Sequence, residues 1–232
     1  MTDPQILYRD ADLVVVNKPV GMPVSPEKGQ TPDLFTAISD RLKREGEPPL
    51  LFLVHRLDRT TGGVMALART GRAAAALGET FAAHRLNKIY LAVVEGETDE
   101  EGEIVSHLRA DTLRARACVV APTASGARPA RLTYVTLDRR AIDGRPASLI
   151  RVSLDTGRFH QIRAQFSFVG HPLFGDRKYG AVTRGGPALF SACLSFHHPL
   201  SGETLTFCAA PSGPPFDLFD PKCLLPPSLP AL

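Results

Sequence analysis

A chain of 232 residues, 44% apolar and 22% charged, has room for one large domain or two small ones, and this balance excludes wholesale disorder and fibrous repeats. Lys and Arg total 27 against 24 Asp and Glu, a net charge of +3 that by itself names no partner. The N-terminus has no basic region followed by an apolar core, and no apolar run nears the ~20 residues a bilayer requires, so neither secretion nor membrane insertion is expected.

Residues 6–8 and 13–17 are short apolar runs about the turn-rich Arg9-Asp10-Ala11-Asp12, which predicts a hairpin. Thr31 with Pro32 is a good helix start, and Leu34, Ile38 and Leu42 recur every four residues, so a helix is predicted over 31–44. Residues 51–54 and 64–68 read as buried strands with a loop between them. Thr70 then caps a helix whose Ala74, Leu77 and Phe81 share one face. Residues 88–95 have strand composition and end at Gly96. Strands over 131–138 and 147–154 flank Asp143-Gly144, a hairpin signal in a connection longer than two residues. A helix is predicted over 157–169 and a last antiparallel pair over 189–196 and 203–208. Strand pairs interrupted by a few helices predict an α+β fold, a predominantly antiparallel mixed sheet with flanking helices and loops. No internal repeat or linker cuts residues 1–210, and the Pro-rich tail 211–232 is expected to lie over the surface or to fray.

Cys118, Cys193, Cys208 and Cys223 are widely spaced without a CxxC pair, so they read as reduced cytosolic thiols and not as a zinc or redox site. The basic residues cluster: Arg56, Arg59, Arg69, Arg72, Arg85 and Lys88 fall in one stretch, and Arg109, Arg114, Arg116, Arg128 and Arg131 in another. Such clusters are the footprint of a polyanion partner or, equally, of solvated faces.

The most informative stretch is His55-Arg56-Leu57-Asp58, followed by Arg59-Thr60-Thr61-Gly62-Gly63. It sets one carboxylate beside two guanidiniums and an imidazole, and neighbouring positive charge favours the ionised carboxylate that a nucleophile or metal ligand requires. A metal is disfavoured because no second Asp, Glu or His lies at a helical or hairpin spacing from Asp58. On the residues alone, an Asp that closes a turn against an arginine is an even alternative.

Four segments taken together resemble the RluA-type pseudouridine synthases. They are the Asp58 segment, Lys88-Ile89-Tyr90-Leu91-Ala92, Thr156-Gly157-Arg158-Phe159-His160-Gln161-Ile162-Arg163, and Asn17-Lys18-Pro19-Val20-Gly21. The likeness runs on through Gly170-His171-Pro172-Leu173-Phe174-Gly175-Asp176 and Leu194-Ser195-Phe196-His197-His198-Pro199, and so covers residues 6–210. The resemblance implies a pseudouridine synthase fold with a central active-site cleft, and an isomerase of ribosomal or transfer RNA that uses neither cofactor nor metal. It places catalysis on Asp58, with Tyr90 stacked on the extruded uracil and Arg163 holding the carboxylate. It puts Arg56, Lys88, His160 and Lys18 on the substrate. A cytoplasmic monomer is expected.

Two departures accompany the likeness. Thr61-Gly62-Gly63 stands where the family usually has Thr-Ser-Gly, and Ala164-Gln165 where it commonly has Val-His. No space is evident before residue 6 for the S4-like domain of many relatives, so target choice is expected to rest on the catalytic domain. An RNA-binding assembly factor of the same fold that does not depend on catalysis is the principal alternative. A small-molecule hydrolase using Asp58 with His55 is a third, weakened by the lack of a second acid/base carboxylate.

Overall fold

In the computed structural model, which describes residues 3–26, 32–83 and 85–224, the first elements are β1 (Gln5–Arg9), β2 (Leu13–Lys18), α1 (Leu34–Arg44), β3 (Phe52–Leu53), β4 (Gly62–Ala68) and α2 (Gly71–Ala82). Then come β5 (Asn87–Glu95), β6 (Glu101–Asp111), β7 (Arg116–Val120), β8 (Arg128–Ile142), β9 (Arg145–Leu154), α3 (Gln161–Phe168), β10 (Leu189–His197) and β11 (Thr204–Cys208). The α+β class is as expected, and the pairs β1–β2, β2–β4, β3–β4, β10–β11, β5–β9, β8–β9, β6–β8 and β6–β7 are all antiparallel. Among the described residues the chain divides into two compact units, one from 3–87 with 191–210, the other from 88–190 with 211–224. The sequence offered no linker at which to draw that division.

In the first unit the strand order is β1-β2-β4-β10, with β3 on β4 and β11 on β10. All seven residues of β4 are buried, which is why they read as one continuous apolar run. Leu13 and Val15 of β2 pack with Val64, Ala66 and Ala68 of β4 against Ala73, Leu77 and Phe81 of α2. The Thr70 hydroxyl accepts the Ala73 N–H at 3.2 Å and so starts that helix where the sequence placed it. Helix α1 instead begins at Asp33, whose carboxylate accepts the Thr36 N–H at 3.0 Å; Thr31 lies outside the described residues. At Gly63 the backbone has φ +112°, and a Cβ there would lie 2.2 Å from the Ser191 carbonyl oxygen. The β10–β11 register sets Cys193 opposite Cys208, with Cα atoms 4.2 Å apart and their sulfurs bonded. The expectation of four reduced thiols is corrected here, because sequence spacing carries no information about which residues a ladder makes neighbours.

In the second unit the order is β5-β9-β8-β6-β7. Asp143 and Gly144 have φ of 50° and 72° and join β8 directly to β9. This is the two-residue turn that matches strand twist, not the longer connection expected, because the ladder continues through polar Arg139 and Arg140. The β6–β7 hairpin was missed altogether: Glu101 and Glu103 are solvent-facing members of a strand whose Ile104 and Leu108 are buried. The predicted helix over 157–169 is shortened to Gln161–Phe168, because His160 adopts a left-handed conformation at φ 51°. Residues 211–224 do not fray. Phe216, Phe219 and Leu224 are buried, the Arg140 guanidinium stands 5.7 Å from the centre of the Phe219 ring, and its Nη1 donates to the Leu218 carbonyl.

Candidate active site

The loop that carries Asp58 connects β3 to β4 in the first unit. Its entry is pinned by His55, whose Nε2 accepts the Ala66 N–H at 3.0 Å and whose ring stacks on Phe81 at 4.3 Å. Acceptance at Nε2 assigns the ring proton to Nδ1, so this imidazole is engaged with β4, which removes the hydrolase role considered for it. Leu57 turns inward at 4% exposure while Arg56 and Arg59 turn out. Asp58 lies between them, half-buried, and its carbonyl accepts the Thr61 N–H at 3.0 Å to close the turn.

Beneath this loop is Lys18, 0% exposed. Its Nζ donates to the carbonyls of Met22 at 2.8 Å, Pro19 at 3.1 Å and Arg59 at 3.2 Å. Burial pushes the ammonium down to about 8, opposed by the charge of Asp58. At neutral pH it remains charged, and its three N–H groups match three carbonyls. The sequence placed Lys18 on the substrate; here its three donors tie together the loops it lies beneath. Arg59 completes the tie, its carbonyl accepting the Gly21 N–H at 2.9 Å and its Nε donating to the Gly21 carbonyl at 3.0 Å.

The other expected residues belong to the second unit. Lys88 and Tyr90 are two apart on β5 and so share a face; Tyr90 is 9% exposed, opposite Val152 of β9. The loop before α3 comes close to Lys88, since a Cβ on Gly157 would be 3.3 Å from its Nζ. Gln161, buried, holds this loop: its Oε1 accepts from the Thr156 hydroxyl at 2.8 Å and the Arg158 N–H at 3.0 Å, and its Nε2 donates to the Arg131 carbonyl at 3.1 Å. Nothing in the sequence reading singled out Gln161. Arg163 meets His160 although His160 precedes the helix, its Nη1 donating to the His160 Nε2 at 2.9 Å. It also binds Asp176, with Nε to Oδ2 at 2.6 Å and Nη2 to Oδ1 at 2.9 Å.

Burial pushes the Lys88 ammonium down to about 8, against 10.5 for an ordinary lysine. The folded chain thus carries a desolvation cost that is full below pH 8 and fades as pH rises toward 10.5, so stability from this group increases with pH across that window. Lys88→Met is expected to stabilise the fold at pH 7 by about 1–3 kcal/mol. It should also reduce the rise between pH 8 and 10, leaving the share that belongs to Lys18. Urea midpoints at pH 7 and pH 10 measure both effects, and a midpoint at pH 7 equal to that of the parent would show that the ammonium is not costly.

Among the described residues no group of three His, Cys, Asp or Glu side chains is arranged to hold a metal ion, and no helix is long and apolar enough to cross a membrane. The family model described as RNA pseudouridylate synthase matches residues 12–168. Ribosomal large subunit pseudouridine synthase D of Zymomonas mobilis is 33% identical over 221 residues, which cover 88% of this chain and 68% of that protein. The protein of the same name from Vibrio parahaemolyticus is 33% identical over 222 residues, covering 88% of this chain and 66% of its own length. The chain thus spans about two thirds of these curated relatives. A solved structure titled human RNA pseudouridylate synthase domain containing 1 matches with a TM-score of 0.76 at 25% identity, over 99% of this chain and 91% of that one.

Proposed function

The chain belongs to the RNA pseudouridylate synthase family, and on that premise we propose that it converts one uridine of a structured ribosomal RNA to pseudouridine, with Asp58 as the catalytic carboxylate. What supports the ribosomal target most is the likeness, over 88% of this chain, to two proteins whose names state action on the large ribosomal subunit. The reaction is an isomerisation. The bond from N1 to C1′ breaks, the uracil turns, C5 bonds to C1′, the C5 proton leaves to solvent, and N1 gains one. No electron is transferred, so residues that bind, orient and shuttle protons suffice.

In this reading Asp58 acts on the nucleoside and Tyr90 stacks on the extruded uracil. Arg163 is the basic catalytic partner that the resemblance implies, a part suited to its rigid fork of N–H groups. Arg56, exposed beside Asp58, contacts the RNA, as do His160, Lys18 and Lys88, the last on the strand face that carries Tyr90. The protein works as a monomer in the cytoplasm.

Mapping pseudouridine across total RNA, with the protein present and with its gene deleted, tests the proposal. Loss of one site in large-subunit ribosomal RNA is the expected result. Loss confined to transfer RNA would move the substrate and keep the chemistry. An unchanged map, with a growth or assembly defect that Asp58→Asn protein repairs, would replace the enzyme by an assembly factor.

A further inference from the structure

The guanidinium of Arg163 is held by a buried polar network that the family likeness did not single out. Asp176, 1% exposed, receives Nε on Oδ2 at 2.6 Å and Nη2 on Oδ1 at 2.9 Å. The Nη1 group donates to His160 Nε2 at 2.9 Å. The guanidinium carbon stands 5.0 Å from the centre of the Tyr179 ring. Behind the imidazole, its Nδ1 is 2.9 Å from the Tyr179 hydroxyl, and that oxygen accepts the Ala117 N–H at 2.6 Å. Arginine has no acceptor, so His160 Nε2 must accept, which puts the ring proton on Nδ1, donates it to Tyr179, and leaves the imidazole neutral.

Two observations mark this as a built holder. Asp176 is the residue before the short helical turn Arg177–Tyr179, where an Asp side chain ordinarily accepts an N–H of its own turn. Here it caps nothing, and both oxygens are turned to Arg163. The turn that aims it is also sterically defined. Gly175 has φ +81°, and a Cβ there would lie 2.2 Å from the Gly186 carbonyl oxygen. A buried ion pair is a poor source of stability relative to apolar packing, because desolvation offsets the attraction. Orientation is what this one supplies. The three bonds use three of the five N–H groups of the guanidinium and fix its plane.

We infer that Asp176, backed by His160 and Tyr179, is the positioning residue for Arg163, fixing the one orientation in which its guanidinium serves the reaction. This inference rests on the reading above in which Arg163 takes part in catalysis.

The test is a double-mutant cycle on the full chain, using a transcript of large-subunit ribosomal RNA. Single-turnover conversion at saturating RNA, RNA affinity and thermal midpoint are measured for Arg163→Lys, Asp176→Asn and the pair. Asp176→Asn is expected to slow conversion about a hundredfold, the cost of a displaced catalytic partner, with RNA affinity within about twofold of the parent. In the Arg163→Lys background the same change should cost less than about threefold, since a residue acting through Arg163 has nothing left to aim. Full additivity would overturn the inference, as would a slow Arg163→Lys beside a full-rate Asp176→Asn. An Arg163→Lys protein at full rate would remove the functional reading and this inference together. Should Asp176→Asn fail to fold, Tyr179→Phe keeps the ring beside Arg163 and removes the hydroxyl behind His160. A slower rate that disappears as an increment in the Arg163→Lys background supports the inference, and a parental rate overturns it.

Discussion

Asp58→Asn is expected to lower tritium release from RNA carrying 5-tritiated uridine by about a thousandfold or more, while the fold and RNA affinity stay near parental values. The amide has the carboxylate's shape without its charge or nucleophilicity. The bond that closes the turn uses the Asp58 backbone carbonyl, which the change keeps. A variant that turns over within tenfold of the parent would remove Asp58 from the catalytic role. Loss of RNA binding in step with the rate would make it a binding residue.

Gly63→Ala is expected to cost roughly 3–5 kcal/mol of stability, a large share of what a domain of ordinary stability has. Two independent obstacles act at this position. The backbone sits at φ +112°, where a side chain is strained, and the new Cβ would lie 2.2 Å from the Ser191 carbonyl oxygen and 2.8 Å from its nitrogen. Neither neighbour is a flexible side chain that can swing away. Relief requires β4 and the backbone at Ser191 to separate, and Gly63 is also the residue that pairs with Lys18, so the disturbance reaches the base of the proposed site. A urea midpoint shift equivalent to less than about 1 kcal/mol would show that the strands separate cheaply.

The residues proposed for the chemistry stand out in the sequence because each lies in a short contiguous string whose side-chain types are demanding: an acid among bases, a tyrosine in a β-branched run, an arginine closing a glycine-led segment. The hairpins and α2 were legible because apolar alternation and a capping threonine are local signals. What the sequence hid depends on register or on a single backbone angle. Asp176 stands 13 positions beyond Arg163 and reaches it through a turn that pattern reading cannot fold. His160 at φ 51° stops a helix that residues 157–160 were expected to begin. The β6 strand was obscured by the acidic residues on its solvent side, and the cysteine pair by a ladder that makes neighbours of residues 15 apart. The enclosure of Lys18 was hidden too, since it depends on how the proline and glycine after it bend the chain so that its own loop covers it.

That enclosure makes one mechanical part out of two loops distant in sequence. Lys18 joins the carbonyls of Pro19 and Met22 to that of Arg59, and Gly21 and Arg59 exchange two further bonds. Neither the 19–22 segment nor the turn bearing Asp58 can lift away without breaking the same few contacts, so they share one opening motion. The carboxylate is carried on a clasp fastened from below, and its placement is inherited from a side chain closed off from solvent.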